Sequence, residues 1–375
     1  MKKILSLLLS AALMTSLLAG CGGTKDSDSA AGSSAGSAAA SSASASGAQE
    51  TRTIGMVVKN ASTEYIQAFL IGAQDTCDKY GIELKTVDAQ GDSLKIMDAI
   101  DNYIVQGIDG FILAGAVDLV TLVPGIEKLN EEGIPVFALD TCPEGGHVDM
   151  FITNDLVDSS RKAAEQMVQG IQEAHNSEVP EGVIIEITGA LVDMYTTECH
   201  EGFSAVMEQY PQLTVVQGEG NWNNDDSYAR TSDLLTRYGD DVVGIYVHTP
   251  DIMGSGAVAA VEAAGLDPAD YFISGICIGK EGIELLKQGK LYAVVEQPAL
   301  DSAMMAVEYL NKMFNGEEIP QVGDTITEEG ALWSPAYVIE NEFADSGATM
   351  ILQGPLVPQD CDPNDSLLWE NRIGL

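Results

Sequence analysis

The chain has 375 residues, of which 45% are hydrophobic, and its formal net charge is −39 at pH 7. This length leaves room for two globular domains. The negative charge excludes nucleic acid as a partner, because a phosphate backbone would be repelled. We assign the charge to a solvated acidic surface that keeps an exported protein soluble, and infer no ligand from it.

The first twenty-one residues have the pattern of a lipoprotein signal peptide. Lys2 and Lys3 precede an apolar run from 4 to 18, which is shorter than the roughly 20 residues of a stable membrane span. Two small residues, 19 and 20, lead directly to Cys21. We therefore expect cleavage after residue 20 and a thioether-linked lipid on Cys21, which would hold the protein on the extracytoplasmic face of the cell membrane, at the cell surface or in the periplasm. An ordinary secretory peptide with a chance cysteine is the alternative.

Residues 22–50 are predicted to form a flexible tether. They are almost wholly Gly, Ser and Ala and contain no Val, Ile, Leu or aromatic residue. As a flexible coil, this segment would span about 30 Å. It is therefore long enough to lift a globular body off the lipid headgroups.

From residue 53 onward, β-branched runs alternate with segments of helical period, which is the pattern of a parallel sheet with crossover helices. In the first unit we predict strands at 53–58, 83–88, 110–114 and 135–140, and helices at 64–80, 93–106 and 120–132. After 151–153 the alternation restarts, with strands at 182–188, 214–220, 242–247, 272–276 and 293–296 and helices at 158–173, 196–209, 225–238, 252–264 and 281–288. A helix at 300–314 and a strand at 336–340 follow, and the end from Gly354 is predicted to be irregular. The predicted fold class is α/β, with two doubly wound parallel-sheet lobes.

The residues just after the predicted strands are polar in both units. In open parallel sheets, ligands bind beyond the carboxyl ends of the strands. We therefore predict a ligand-binding cleft between two such edges, with the following candidate residues: Lys59, Asn60 and Asp140 in the first unit, and Asp193, Trp222, His248, Thr249, Cys277 and Gln297 in the second.

Several segments, in this order and spacing, resemble the type I periplasmic binding proteins of the ribose- and galactose-binding branch, which are solute receptors of ABC importers. The segments are 54–58, 107–112, 133–140, 201–203 and 289–298. The resemblance covers about residues 53 to 316 and implies a periplasmic binding protein-like I fold, with two lobes joined by a three-strand hinge that closes on a small polar ligand. It places the crossings near 153–154, Gly279 and 297–298. We expect an N-terminal lobe of 51–153 plus 298–326, and a C-terminal lobe and tail of 154–297 plus 327–375.

The same resemblance implies roles for individual residues. Tyr65 matches a family aromatic residue, Asp140 the sugar-binding aspartate, Trp222 a stacking aromatic residue and Gln297 the hinge glutamine. This chemistry suits a polyol, because carboxylates and amides bond hydroxyl groups and an aromatic face covers the C–H side of a ring. Packing within a lobe is the alternative role for Trp222, and capping of the first helix is the alternative for Tyr65.

The sequence departs from the sugar-binding pattern at three places. An arginine expected before Gly202 is absent, Cys277 stands where an aspartate is expected, and Pro250 precedes Asp251 where an Asn-Asp pair is expected. We therefore expect a ligand smaller or less hydroxylated than a hexose. The set Lys59, Asp140, Asp193 and Pro250 is similar to the autoinducer-2 receptor branch, whose ligand is a small furanose-like polyol.

Other chemistries have little support in the sequence. Residues 254–259 fit a G-x-G-x-x-A string, but the preceding strand ends six residues too early for dinucleotide binding, and we expect these glycines to allow close helix packing. The cysteines and histidines lack the spacing of metal ligands. Cys77, Cys142, Cys199, Cys277 and Cys361 are odd in number, so at least one thiol is free or pairs between molecules. We predict no metal, no cofactor and no enzymatic activity.

The predicted function is that of the solute-binding lipoprotein of an ABC importer. A monomer would bind a small sugar or polyol between its lobes and deliver it to an ABC permease in the membrane. The alternative is a receptor, for a sugar or an autoinducer-2-like ligand, that signals to a membrane kinase or chemoreceptor. The sequence does not separate these two functions.

Overall fold

The computed structural model describes residues 51–116, 118–359, 362, 364 and 368–374. The predictions for the signal peptide, for the lipid on Cys21, for the tether and for Cys361 lie outside the described residues. Among those described, no helix has both the length and the apolar character that a membrane crossing requires.

The first lobe begins with three strand–helix units, which two further strands follow. Its elements are β1 (Thr53–Val58), α1 (Glu64–Tyr80), β2 (Glu83–Asp88), α2 (Ser93–Gln106), β3 (Gly110–Ala114), α3 (Val123–Glu131), β4 (Val136–Leu139) and β5 (His147–Asn154). The second lobe follows with α4 (Leu156–Ala174), β6 (Gly182–Thr188), α5 (Met194–Met207), β7 (Leu213–Glu219), α6 (Asn224–Tyr238), β8 (Val242–Val247), α7 (Ser255–Ala263), β9 (Ser274–Ile276), α8 (Gly279–Lys287) and β10 (Ala293–Val295). The chain then runs through α9 (Ala299–Phe314), β11 (Thr325–Ile326), β12 (Ala336–Glu340), β13 (Ser346–Leu352) and β14 (Leu356–Pro358).

The first five strands of each sheet, in chain order, share one topology. Their described strands have the orders β11-β12-β13-β5-β4-β3-β1-β2 and β14-β10-β9-β8-β6-β7. In each sheet the strand that comes first in the chain lies in the middle of the parallel set, so the direction of winding reverses beside it, between β1 and β3 and between β6 and β8. Such a switch point opens a crevice at the carboxyl ends of the strands. The predicted α/β fold with two doubly wound lobes is confirmed.

Buried strands and capped helices explain why the early elements match their predicted bounds. Every residue of β3 and β4 is buried, as expected for parallel strands covered by helices on both faces. The Thr63 side chain accepts a hydrogen bond from the Ile66 amide at the start of α1, and Gly81 ends that helix in the left-handed conformation, with φ 69°.

The chain passes between the two sheets three times within the described residues. The first passage follows β5 and the second follows β10, which confirms the crossings expected near 153–154 and 297–298. The third lies between β13 and β14, at 353–355. The expected crossing at Gly279 is wrong, because Gly279 begins α8 between two strands of the second sheet.

The assignment of 327–375 to the second lobe is wrong for residues 336–352. Both β12 and β13 extend the first sheet, and β13 pairs in parallel with β5. The physical reason is that β5 would otherwise be an exposed edge of a buried parallel sheet, and β13 covers it. The strands β5, β11, β13 and β14 are absent from the sequence prediction, and β14 lies in the stretch that was expected to be irregular.

The helix predicted at 252–264 begins differently. A π-helical turn, Pro250–Gly254, precedes α7. A Cβ atom on Gly256 would lie 2.2 Å from the Asn224 carbonyl oxygen of the neighbouring helix. The expectation that these glycines allow close helix packing is therefore confirmed for Gly256, whereas a Cβ atom on Gly254 would meet only Pro250 of its own turn.

Candidate functional site

A cavity of about 250 Å³ lies where the carboxyl ends of the two sheets face each other. Pockets for drug-sized ligands usually measure about 300–1,000 Å³, so this volume suits a smaller ligand. Both lobes contribute to its lining, which consists of Lys59, Asn60, Thr63, Tyr65, Ile66, Gln90, Gly91 and Asp140 from the first lobe and Asp193, Tyr195, Asn221, Trp222, Thr249, Asp251, Ile252, Cys277 and Gln297 from the second part of the chain.

A salt bridge crosses the cleft. The Lys59 ammonium, directly after β1, lies 2.7 Å from a carboxylate oxygen of Asp193 in the second lobe. Asp193 is buried, and its other carboxylate oxygen caps α5 by accepting a hydrogen bond from the Tyr195 amide. The cap fixes the carboxylate, so Lys59 meets a rigid partner when the lobes are closed.

Two aromatic rings form one wall of the cavity. Tyr195 and Trp222 meet edge to face, with ring centroids 5.4 Å apart. The Trp222 indole N–H donates to Asp193 at 3.2 Å, and the ring packs on Gly189, where a Cβ atom would lie 1.9 Å from it. The Tyr195 hydroxyl donates to the Gln297 side-chain oxygen at 2.8 Å. Trp222 therefore lines the cleft, although it also touches the core of its lobe.

Asp140 lies opposite this wall, at the end of β4. The Tyr65 hydroxyl donates to its carboxylate. Burial raises the pKa of Asp140 to about 6, although Lys59 and the Tyr65 hydrogen bond favour the charged form. A Cβ atom on Gly115 would lie 3.1 Å from Asp140 and 3.2 Å from Lys59. Gly115 therefore gives both side chains their room.

Asp251 and three uncharged groups complete the polar lining. Burial, together with the nearby Glu296 charge, raises the pKa of Asp251 to about 8, while the Cys277 thiol donates to its carboxylate. Asp251 Oδ1, Gln297 Nε2 and Thr249 Oγ1 have no hydrogen-bond partner among the described residues. They can therefore bond a ligand without breaking a contact within the protein.

Five of the non-glycine lining residues have left-handed backbone conformations. These are Gln90 with φ 55°, Asp140 with φ 70°, Asn221 with φ 52°, Trp222 with φ 56° and Cys277 with φ 64°. Residues other than glycine adopt this conformation at a cost, and such residues cluster at binding sites. Here each of these residues lies in a loop that directly follows a strand, and each lines the cavity.

Nine predicted site residues line the cavity: Lys59, Asn60, Tyr65, Asp140, Asp193, Trp222, Thr249, Cys277 and Gln297. Two others do not. The His248 side chain turns away from the cleft and is fully buried in the second lobe. Its Nε2 atom forms a hydrogen bond with the Glu186 carboxylate at 2.9 Å. Pro250 packs against Gly275, and its neighbour Asp251 takes the place at the cavity.

The sequence prediction omitted several lining residues: Thr63, Ile66, Gln90, Gly91, Tyr195, Asn221, Asp251 and Ile252. Tyr195 had a readable signal, because it follows a helix cap at Asp193 that was itself a predicted site residue. Asp251 had a weaker signal, since the π-helical turn that presents it has no simple sequence pattern.

The described cysteines are buried and unpaired: Cys77, Cys142, Cys199 and Cys277. This confirms that at least one thiol is free. Within the described part of the chain, no group of three or more His, Cys, Asp and Glu side chains is arranged to hold a metal ion.

Comparison with known proteins places this geometry in a family. The family described as periplasmic binding protein domain matches residues 54–318. The ribose import binding protein RbsB of Bacillus subtilis is 25% identical over 274 residues, which cover 73% of this chain and 85% of that protein.

Two solved structures show the same fold. A galactofuranose binding protein superposes with a TM-score of 0.71 at 18% identity, covering 86% of this chain and all of the other. A solute binding protein of an ABC transporter from Bacillus halodurans, with bound myo-inositol, superposes with a TM-score of 0.69 at 20% identity, covering 85% and 98%. The relatives are binding proteins, and the prediction that this chain is not an enzyme is confirmed. The chain belongs to the periplasmic binding protein domain family.

Proposed function

We propose that the protein is the extracytoplasmic solute-binding component of an ABC importer and that it binds a small sugar or sugar-like polyol between its lobes. The observation that carries this proposal is the cavity itself. Carboxylates, side-chain amides, hydroxyls and three aromatic rings from both lobes face one small space. A polyol offers hydroxyl groups to the polar atoms and C–H faces to the rings.

The relatives support the transport role. RbsB is named a ribose import binding protein, and the myo-inositol complex is named a solute binding protein of an ABC transporter. A ligand that bonds both lobes favours the closed form over the open one, since it gains contacts only when the lobes meet. The closed form is then the signal that a membrane permease recognises.

A thermal unfolding assay tests the ligand class. The mature chain, with Cys21 replaced by serine, is heated with pentoses, hexoses, inositols, autoinducer-2, nucleosides and amino acids. A ligand at one hundred times its dissociation constant stabilises the folded state by about 2.7 kcal/mol. We expect a sugar or polyol to do so and Asp140→Ala to lose the gain. Stabilisation by amino acids alone would refute the proposal.

Lipid attachment at Cys21 is a second part of the proposal. A tether in the membrane of the permease raises the effective concentration of the receptor there. Radiolabelled palmitate fed to the producing cells should label the wild-type protein and not Cys21→Ala. Labelling of both proteins would place the lipid elsewhere.

A signalling role is the second candidate function. It is supported by Lys59, Asp140 and Asp193, which are similar to the pattern of the autoinducer-2 receptor branch. Reconstitution with an ABC permease and ATPase from the producing organism separates the two roles. Ligand-loaded protein should stimulate ATP hydrolysis. Stimulation of a membrane kinase instead would identify a signalling receptor.

A further inference from the structure

The charged groups that line the cavity do not balance. Among the described lining residues, Lys59 is the single basic side chain, whereas Asp140, Asp193 and Asp251 are acidic. The Lys59 ammonium is already bound to Asp193 at 2.7 Å. The lining therefore has one cation for three carboxyl groups, and that cation forms its salt bridge with Asp193.

The Asp193 carboxylate is fully bonded within the protein. In addition to Lys59, its carboxylate accepts hydrogen bonds from the Trp222 indole and from the Tyr195 amide, both at 3.2 Å. A buried carboxylate with three donors, one of them charged, has its desolvation offset. The imbalance is thus located at Asp140 and Asp251.

Asp140 and Asp251 lie on opposite lobes, and the charges of both act on the Tyr65 hydroxyl. The direct side-chain donors that the structure gives them are uncharged, Tyr65 to Asp140 and the Cys277 thiol to Asp251. Burial raises the pKa of each, so either carboxyl favours a bound proton or a nearby cation over an unbalanced negative charge.

Other polar atoms that line the same cavity also lack a hydrogen-bond partner within the described protein. Gln297 is fully buried and Thr249 is 5% exposed, yet Gln297 Nε2 and Thr249 Oγ1 have no hydrogen-bond partner among the described residues. Asp251 Oδ1 is in the same condition. Buried polar atoms are nearly always bonded, so these atoms mark the positions of ligand groups.

We propose that the ligand is a polyol bearing a basic amino group, whose ammonium lies between Asp140 and Asp251 while its hydroxyl groups meet Gln297 and Thr249. This proposal rests on the proposed function, since it names the kind of polyol that the cleft takes. An ammonium supplies the missing positive charge, and its hydrogen bonds to carboxylates are about twice as strong as those between neutral groups. Sugar acids and sugar phosphates are excluded, because they would add a negative charge to an acidic cleft.

The test compares matched ligands by calorimetry at pH 7.5 on the mature chain with Cys21 replaced by serine. The pairs are glucosamine with glucose, galactosamine with galactose, aminodeoxyinositol with myo-inositol, and 1-amino-1-deoxyribitol with ribitol. N-acetylated amines serve as controls that keep the nitrogen and remove its charge. We expect at least one amine to bind about tenfold or more tightly than its neutral partner, a difference of one charge-assisted hydrogen bond.

The variants locate the effect. Asp251→Asn should reduce the preference for the amine over its neutral partner to about threefold or less, measured as the ratio of the two affinities within the variant. Asp98→Asn makes the same change of charge on the exposed side of α2, outside the cavity lining, and should leave the preference intact.

The affinities distinguish failure of the amine proposal from failure of the proposed function. A neutral polyol that binds as tightly as its amine, or an equal preference in Asp251→Asn, overturns the amine proposal and leaves the polyol function standing. If neither the amines nor the neutral polyols bind, the proposed function itself fails and the amine proposal fails with it.

Discussion

Two groups of buried carboxyls lie close together in this protein, and they differ in their hydrogen-bond donors. In the cleft, Asp140 and Asp251 have no charged donor bonded to them among the described residues, and Asp251 keeps one oxygen without a partner there. At the hinge, Glu296 accepts hydrogen bonds from its neighbouring Gln297 amide at 2.7 Å and from the Trp369 indole at 2.9 Å. Glu370 accepts one from the Gly279 amide at 3.2 Å.

The donors at the hinge come partly from the C-terminal segment, residues 368–374, which lies beyond the family match. Leu368 packs in the core of the second lobe, whereas Trp369 and Ile373 pack in that of the first. The segment therefore joins the lobes where the chain crosses between them. Glu296 and Glu370 each keep one oxygen without a partner among the described residues, as Asp251 does. The two groups differ in position and in donors: the hinge carboxyls bond groups that join the lobes, whereas the cleft carboxyls face the cavity.

The largest expected effect tests the hinge. Trp369→Ala removes a fully buried side chain and the indole donor to Glu296. We expect the free energy of unfolding to fall by about 3–5 kcal/mol, the range for loss of a large aromatic side chain from a core. Denaturant unfolding monitored by circular dichroism measures this change.

The matched control is Tyr228→Ala, an aromatic truncation at a position 42% exposed, for which we expect a change of about 0.5 kcal/mol or less. Equal losses in the two variants would mean that the C-terminal segment adds nothing to the lobes it joins.

The second test uses pH. Burial and the nearby Glu296 charge raise the pKa of Glu370 to about 11. The folded protein thus retains a proton that the unfolded chain releases near pH 4.5, so stability is complete below that pH and is lost as pH rises toward 11. Burial raises the pKa of Glu296, Asp251 and Asp140 in the same direction. We expect the free energy of unfolding to decline from pH 5 to pH 8 by roughly 1 kcal/mol per pH unit for Glu370 and for Asp251, whereas Asp140 contributes only up to about pH 6.

A neutral isostere isolates the hinge contribution. Glu370→Gln cannot ionise, so its unfolding free energy should depend less steeply on pH than that of the wild type, and the two curves should diverge as pH rises. Thermal unfolding at pH 5, 6, 7 and 8 measures both slopes. Parallel curves would show that Glu370 carries no extra proton in the folded protein.

The third test separates the cleft from the backbone that supports it. Gly115 has φ 76° and Gly133 has φ 70°, so alanine at either position costs about 1–2 kcal/mol of stability. Only at Gly115 would the new Cβ meet Asp140 and Lys59, whereas at Gly133 no atom lies within 4 Å. We expect Gly115→Ala alone to weaken ligand binding, by about tenfold, as calorimetry would show. Equal affinities in the two variants would refute the role given to Asp140.

The sequence predicted the sheets and most of the cleft because their signals are local. Strand bounds follow apolar runs, helix ends follow caps such as Thr63 and Gly81, and the residue after each strand lies at the ligand edge. The pairing of β13 with β5 depends on residues nearly 200 positions apart, and no local pattern records it. His248 shows a further limit, since which way a residue after a strand turns depends on a distant partner, here Glu186.

The smallest expected effect concerns the salt bridge across the cleft. Lys59→Met removes the cation that joins the lobes at Asp193, while its apolar stem still packs beside Gly115. We expect the closed form of the ligand-free protein to lose about 1 kcal/mol relative to the open form, which is roughly a fivefold change in their ratio. Small-angle X-ray scattering should then show a larger radius of gyration without ligand, and closure should return at saturating ligand. Lys128→Met is the control, because it breaks an exposed pair with Asp101 inside the first lobe and should leave the radius unchanged. An unchanged radius in Lys59→Met would show that the cleft closes without this bridge and that the other contacts between the lobes are sufficient.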